Sequence, residues 1–171
     1  MNDTDSQQAT LFGGREVGRE RSDCAFCAIA RREEPTRQIV FQDDISIGFL
    51  DRRPVFLGHC LLIPRKHYET LYDLPKDLVG PLFGNAQLLG KAVEAGTQAG
   101  GTFVAMNNRI SQSIPHLHIH IIPRKSGDGL RGFFWPRRKY ESEEQMASIA
   151  DSIRKFVNKL GEGAGTDKVS E

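Results

Sequence analysis

Short runs of apolar residues, separated by polar turns, occur in several parts of the chain and are typical of β-strands. Five segments have this character: residues 38–41, 45–50, 59–64, 102–107 and 117–122. In residues 75–99 and 142–160, apolar side chains instead recur every three or four positions, as on one face of an α-helix. A short helix is also expected over residues 25–32. It should end before Pro35, because proline cannot continue a helix.

The order of these elements after the short first helix is β-β-β-α-β-β-α. It predicts an α+β fold, with an antiparallel sheet and helices packed on one side. The chain has 171 residues, which fits one domain. Polar ends without apolar periodicity predict disordered tails over residues 1–22 and 161–171. The folded domain is therefore expected over residues 23–160.

Positive and negative side chains nearly balance, with 23 Lys and Arg against 22 Asp and Glu. A protein that binds long nucleic acid usually has a basic surplus, so a small anionic ligand in a local pocket is favoured. No apolar run approaches the length of a membrane span, and residues 1–23 do not resemble a secretory signal. Three cysteines, an odd and low number, argue against a disulfide framework. We therefore expect a cytoplasmic protein that binds neither membrane nor long nucleic acid.

Three histidines, His116, His118 and His120, occupy alternate positions in the last predicted strand. Alternate residues of a strand face the same side, so we expect three adjacent imidazoles on one face and the intervening aliphatic residues on the other. Such a face suits a metal site, because imidazole is a common metal ligand. It also suits attack on phosphorus by a neutral imidazole whose other nitrogen is held by an acceptor. A coincidental histidine-rich strand is the remaining alternative.

Polar side chains directly precede the histidines. Ser111-Gln112-Ser113 offers hydroxyl and amide groups that could donate to a phosphate oxygen or a departing group. Serine and glutamine are also ordinary loop residues, so this segment alone does not indicate a site. Next to three histidines, it favours the phosphate interpretation.

Cys24 and Cys27 have the two-residue spacing with which two thiolates share one zinc ion. Redox pairs have the same spacing, but the βαβ setting of a thioredoxin-like protein is missing here. An unoccupied pair of buried thiols is the third interpretation. Cys60 lies in an apolar segment and is interpreted as a core residue.

Taken together, these segments resemble the histidine-triad family. His-Leu-His-Ile-His-Ile-Ile at residues 116–122 is similar to the family signature. Residues 50–67 resemble its nucleoside-binding strand-turn-strand, and Asn107 with residues 111–113 resembles its phosphate-side loop. Residues 123–128 are similar to the stretch after the triad in the fragile-histidine-triad branch. The resemblance covers about residues 24–140.

The resemblance implies a nucleotide hydrolase or transferase acting at the α-phosphate of a nucleoside phosphate ester, anhydride or amidate, such as a dinucleoside polyphosphate. His118 would attack and carry a nucleotidyl-histidine intermediate. The other implied catalytic residues are His116, His120, Gln112 and Ser113. The implied nucleotide-binding residues are Asp51, His59, Asn107, Gln112, Ser113, His118 and His120. Asp51 would hold the ribose hydroxyls, and the alternative is that it only forms a turn. For His59, the alternative is a histidine that only packs within its strand.

The resemblance also implies a metal site and an assembly. The implied ligands of a structural zinc ion are Cys24, Cys27, His67 and His116, a closed set of four protein ligands. The family's dimers join two sheets into one, so a homodimer is expected, with residues 75–99 near its interface. A phosphorolytic nucleotidyltransferase and a non-catalytic nucleotide- or zinc-binding regulatory module are the alternative functions.

Two segments depart from the best-known family members. Arg109 and Ile110 stand where other members carry glycines in the phosphate-side loop. Residues 129–137 are particular to a subgroup, and Arg131, Arg137 and Arg138 could reach a polyphosphate or an acidic acceptor. Trp135 is expected to pack in the protein in preference to stacking on a base.

Overall fold

The computed structural model of the protein describes residues 21–33, 38–130 and 139–161. Five strands are present: β1 (Ile39–Gln42), β2 (Ser46–Leu50), β3 (Cys60–Pro64), β4 (Gly101–Ala105) and β5 (Ile119–Arg124). The α-helices are α1 (Ala25–Ala30), α2 (Lys76–Thr97) and α3 (Glu143–Gly161), and a 3-10 helix (Leu71–Asp73) precedes α2. Every predicted helix and strand is therefore present, with its ends within two residues of the expected position. Most of both predicted tails lies outside the described residues.

The five strands form one sheet in the order β1-β2-β3-β5-β4, and all neighbouring strands are antiparallel. This confirms the predicted α+β class. Leu61 of β3 is paired with His120 of β5, and Leu62 is paired with Ile119. Directly paired residues face the same side of a sheet, so Leu61 and His120 share one face while Leu62 and Ile119 share the other.

The sheet is covered on both faces by different helices. Helix α2 packs on the face that carries Leu62 and Ile119, in a core that also contains Leu82 and Leu89 of the helix. On the opposite face, Phe26 and Cys27 of α1 pack in a second core with the residues that alternate with the first set: Ile47, Phe49, Leu61 and Ile63. The prediction that the helices pack on one side is therefore wrong for α1. Strands β2 and β3 are apolar on both faces, and such strands need cover on both.

Helix α3 belongs to a second compact unit (Gly129–Glu171), whereas the sheet, α1 and α2 belong to the first (Met1–Asp128). Its predicted amphipathic character is present, and one set of apolar side chains is exposed: Met146, Ile149, Ile153, Phe156 and Val157. Across the described ranges, no helix combines the length and apolar character that crossing a membrane requires.

The contact between α2 and the sheet depends on a small residue in β2. A Cβ built on Gly48 would lie 2.8 Å from Cδ2 of Leu89, closer than two carbon atoms approach. Glycine at this position lets Leu89 pack directly on the backbone of the sheet. Leu89 is 3% exposed, whereas its neighbour Leu88 is 54% exposed.

This difference gives a matched test of the orientation of α2. We expect Leu89→Ala to lower the free energy of unfolding by about 2–5 kcal/mol, because it leaves a cavity against β2. Leu88→Ala removes the same atoms from an exposed side chain and should change it by no more than about 0.5 kcal/mol. Urea denaturation followed by circular dichroism measures both values. Equal losses for the two variants would contradict the described packing.

Candidate functional site

The three alternating histidines lie at the start of β5. His116 and His118 precede its first residue, Ile119, and His120 is its second. The strand begins later than predicted because the N–H of Leu117 donates to the carbonyl of Tyr68, at 2.6 Å, outside the sheet. The alternation of sides is nevertheless kept, since the intervening residues Leu117, Ile119 and Ile121 all pack in the α2 core.

A backbone contact defines which nitrogen of the His118 ring carries a proton. Its Nδ1 lies 2.7 Å from the backbone carbonyl oxygen of His116. A carbonyl can only accept, so Nδ1 carries the proton and, in the neutral ring, Nε2 keeps a lone pair. Phe26 of α1 packs edge-on against this ring, with centroids 5.3 Å apart. His118 is 3% exposed, and in its neutral form Nε2 is the ring nitrogen available as a nucleophile.

His116 uses both of its ring nitrogens in the protein interior. Nε2–H donates to the carbonyl of Pro64 at the end of β3, at 2.9 Å. Nδ1, which then has a lone pair, lies 3.5 Å from Sγ of Cys24 and 3.6 Å from Sγ of Cys27. Burial lowers the pKa of His116 to about 4, so the ring is neutral at pH 7.

His67 completes a group of four buried side chains that could hold a metal ion. Its Nδ1 lies 3.4 Å from Sγ of Cys27. One ligand atom from each of Cys24, Cys27, His67 and His116 lies within 4.8 Å of the others. Burial raises the pKa of the Cys27 thiol to about 11, and burial followed by the nearby Arg21 lowers the pKa of His67. Two cysteine sulfurs and two imidazole nitrogens are a donor set typical of zinc sites.

The start of α1 places both cysteines in this group. Cys24 is the N-cap of the helix, and Cys27 lies in its first turn. The N–H of Ala28 donates to the carbonyl of Cys24, so one helical turn brings both sulfurs to the same side. Phe26, between them, fixes the helix against the histidines, because its ring contacts both His116 and His118.

His59 and His120 form a second contact on the same face of the sheet. Nε2 of His59 lies 3.0 Å from Nδ1 of His120, and Oδ2 of Asp51 lies 3.5 Å from Nδ1 of His59. The two histidines are hydrogen-bonded to each other, and Asp51 faces the far nitrogen of His59. One ligand atom from each of the three lies within 4.8 Å of the others, but the bond between His59 and His120 already uses one nitrogen of each ring.

A tight loop brings Asp51 next to His59. The N–H of Asp51 donates to the carbonyl of His59 at 2.9 Å, and Gly58 has a φ of +96°, which favours glycine. Oδ1 of Asp51 accepts from the N–H of Arg53 at 2.8 Å. Burial lowers the pKa values of His59 and His120, to about 4 for His120.

The phosphate-side loop is held by its own polar side chains. Gln112 donates from Nε2 to the carbonyl of Glu69, at 2.6 Å, and accepts at Oε1 from the N–H of Arg109, at 2.8 Å. Asn107 donates from Nδ2 to the carbonyl of Ser111 at 3.2 Å. In the part of the chain that the structure covers, neither Gln112 nor Asn107 hydrogen-bonds a triad histidine.

Backbone geometry in this loop is unusual for the residues that form it. Arg109 and Ser111 have φ values of 72° and 58°, in the left-handed region that glycine adopts most easily. This agrees with the departure seen in the sequence, where Arg109 stands at a position that is glycine in the family that the chain resembles. Ser113 is exposed at the end of the loop. Residues 131–138, with Trp135 and three arginines, lie outside the described ranges.

Several residues that shape the site were not predicted from the sequence. The carbonyls of Pro64, Tyr68 and Glu69 hold His116, Leu117 and Gln112. A backbone carbonyl gives no sequence signal, because every residue has one. The place of Phe26 in the site could have been predicted, because an aromatic residue between two cysteines on a short helix lies close to both sulfurs.

Known proteins are similar to this chain in sequence and in fold. A profile of the HIT domain matches residues 32–127. Adenylylsulfatase HINT3 from Arabidopsis thaliana is 32% identical over 145 residues, which is 83% of this chain and 73% of that protein. Adenosine 5'-monophosphoramidase HNT1 from Saccharomyces cerevisiae is 29% identical over 122 residues, 71% of this chain and 75% of that protein.

Solved structures agree with the sequence matches. SMU.412c from Streptococcus mutans UA159 superposes with a TM-score of 0.75 at 27% identity, over 89% of this chain and 96% of its own. A zinc-bound histidine triad family protein from Mycobacterium smegmatis superposes with a TM-score of 0.59 at 31% identity, over 80% and 97%. Since the domain profile spans more than half of the sequence and includes all three alternating histidines, the chain belongs to the HIT (histidine-triad) family.

Proposed function

We propose that this chain is a nucleotide hydrolase or transferase that acts at the α-phosphate of a nucleoside phosphate anhydride, ester or amidate, with His118 as the nucleophile. The supporting observation is the 2.7 Å hydrogen bond from Nδ1–H of His118 to the carbonyl of His116, which places the lone pair of the neutral ring on Nε2. HIT-family relatives named as an adenylylsulfatase and an adenosine monophosphoramidase support this reaction class.

The reaction proceeds in two displacements at phosphorus. The lone pair of His118 Nε2 forms a bond to the α-phosphorus, and the bond to the departing group breaks with its electron pair; that group takes a proton from water. The ring acquires positive charge, which the hydrogen bond from Nδ1–H to the His116 carbonyl stabilises. Water then forms a bond to phosphorus, the P–N bond breaks with its electrons returning to Nε2, and a proton leaves to solvent. The product is a nucleoside monophosphate.

We assign the nucleotide's other contacts to the residues around His118. Asp51 is half-buried and uses one oxygen to accept from Arg53, so its remaining lone pairs can accept from ribose hydroxyls. The exposed hydroxyl of Ser113 can donate to the phosphate. Gln112 would have to break a bond within the loop to do so, and we assign it, with Asn107, to holding the loop.

We propose that Cys24, Cys27, His67 and His116 hold a structural zinc ion. In a tetrahedral zinc site, bonds of about 2.3 Å to sulfur and about 2.05 Å to nitrogen place these atoms about 3.6 Å apart. The S···N distances here are 3.4–3.6 Å. Bound zinc would neutralise two thiolates and connect α1 to the start of β5. The zinc-bound relative supports this assignment.

We also propose that the chain forms a homodimer through α2 and β4. Among the described strands, β4 lies at one edge of the sheet, where a second copy of the chain could approach it. A groove between α2 and β4 is lined by Phe83 and Val104, which are 39% and 45% exposed.

Light scattering should give the mass of two chains in solution. The mass of one chain at micromolar concentration would contradict this proposal.

Replacement of the nucleophile tests the reaction. With diadenosine polyphosphates, adenosine phosphoramidate and adenylyl sulfate as substrates, we expect wild type to release AMP on chromatography. His118→Ala should lower kcat by at least about 10³-fold, because no other group replaces the attacking nitrogen. AMP binding by calorimetry should change little, and it serves as the control for folding.

Other outcomes separate the alternatives. Turnover retained in His118→Ala would refute the assignment. Release of a nucleoside diphosphate only when phosphate is present would identify a phosphorolytic enzyme. Binding of AMP without turnover of any substrate by wild type would indicate a binding module.

Metal content tests the zinc site. We expect about one zinc ion per chain after purification without chelator, and its loss in Cys27→Ser with a lower melting temperature. Cys60→Ser is the matched control, because Cys60 is also buried but lies in the α2 core, outside the cluster. Wild-type protein without near-stoichiometric zinc would contradict the proposal, as would loss of zinc in the control.

A further inference from the structure

The contact between His59 and His120 has a direction that the surrounding backbone determines. Nδ1 of His59 accepts the N–H of Val55 at 3.3 Å. A backbone N–H can only donate, so this nitrogen has a lone pair. The neutral His59 ring therefore carries its proton on Nε2 and donates it to Nδ1 of His120, at 3.0 Å. His120 must then carry its own proton on Nε2.

Asp51 does not reverse this direction. Its Oδ2 lies 3.5 Å from Nδ1 of His59, beyond the usual range of an N–H···O hydrogen bond, and Oδ1 already accepts from Arg53. A proton on Nδ1 would also meet the Val55 N–H head-on. Burial lowers the pKa values of both His59 and His120, so both rings are neutral at pH 7 and each has one proton.

Two neighbouring rings therefore have opposite hydrogen-bonding character. The centroids of His118 and His120 are 4.9 Å apart. Nδ1 of His118 carries its proton, and its Nε2 has a lone pair. On His120 the positions are exchanged, with the lone pair on Nδ1 and the proton on Nε2. One ring can attack phosphorus, while the other can donate to the oxygens of the same phosphoryl group.

We propose that His59 is a positioning residue that fixes the tautomer of His120, so that His120 donates Nε2–H to an oxygen of the phosphoryl group on His118. The hydrogen bond strengthens as negative charge develops on that oxygen, and the proton stays on His120. The phosphoryl contact rests on the proposed function of His118. The tautomer itself follows from the contacts of Val55, His59 and His120 and is tested separately.

The first arm measures the tautomer without any substrate. Long-range ¹H–¹⁵N correlation spectra of the ¹⁵N-labelled wild type distinguish a protonated Nε2 from a protonated Nδ1. The signals of His120 are assigned by their absence in His120→Gln. We expect a protonated Nε2 and a bare Nδ1 at pH 7. A proton on Nδ1 of His120 would overturn the proposal whether or not the protein is an enzyme.

The second arm compares two amide replacements of His59. Glutamine places its amide nitrogen near the position of Nε2 and can still donate to His120. Asparagine reaches only the position of Nδ1, so it keeps a contact to Val55 but not to His120. If His59 only fills space, the two variants should behave alike.

We expect His59→Gln to keep kcat within about tenfold of wild type and to keep the tautomer of His120. His59→Asn should lower kcat by about 10²-fold, leave AMP affinity and KM nearly unchanged, and give His120 signals of mixed tautomers. Equal kcat values and an unchanged His120 tautomer in both variants would overturn the proposal. If wild type turns over no nucleotide, the proposed function fails, and the His120 tautomer in the two variants still decides the role of His59.

Discussion

The imidazole of His116 connects the parts of the molecule on which the site depends. Its Nε2–H is hydrogen-bonded to the end of β3, and its Nδ1 faces the two cysteines at the start of α1. Its backbone carbonyl accepts from Nδ1–H of His118. One fully buried residue therefore contacts the first helix, the central sheet and the neighbouring ring, whose tautomer it selects. Any displacement of this ring would change the direction of the carbonyl that His118 requires.

Burial explains why histidines serve both structure and chemistry here. A buried imidazole loses the hydration of its cationic form, so the pKa values of His116 and His120 fall to about 4. A neutral ring has one donor and one acceptor. The backbone carbonyl of Pro64 selects which nitrogen of His116 carries the proton, and the carbonyl of His116 does the same for His118. A bound nucleotide would thus contact uncharged hydrogen-bond donors and acceptors, and its phosphates would supply the negative charge in the site.

The periodicity of apolar residues was sufficient to predict the helices and strands and the alternating sides of residues 116–122. The spacing of Cys24 and Cys27 was sufficient to predict that their sulfurs lie together. The periodicity did not predict that α1 and α2 cover opposite faces, because apolar residues on both sides of a strand do not show which helix covers which face. It also did not predict the late start of β5 or the orientation of Gln112. Both depend on backbone carbonyls, which every residue type carries and which only the folded chain brings into place.

The central claim is that Nε2 of His118 forms a bond to phosphorus, and trapping that bond tests it most directly. Wild-type protein would be mixed with adenosine phosphoramidate and quenched within milliseconds at alkaline pH, where a phosphorus–nitrogen bond to histidine survives. Intact mass and peptide mapping would then locate any adduct. The account predicts one adenylyl group on His118 that forms and decays during turnover. Turnover with the adenylyl group on another residue, or with no adduct at any time, would contradict it.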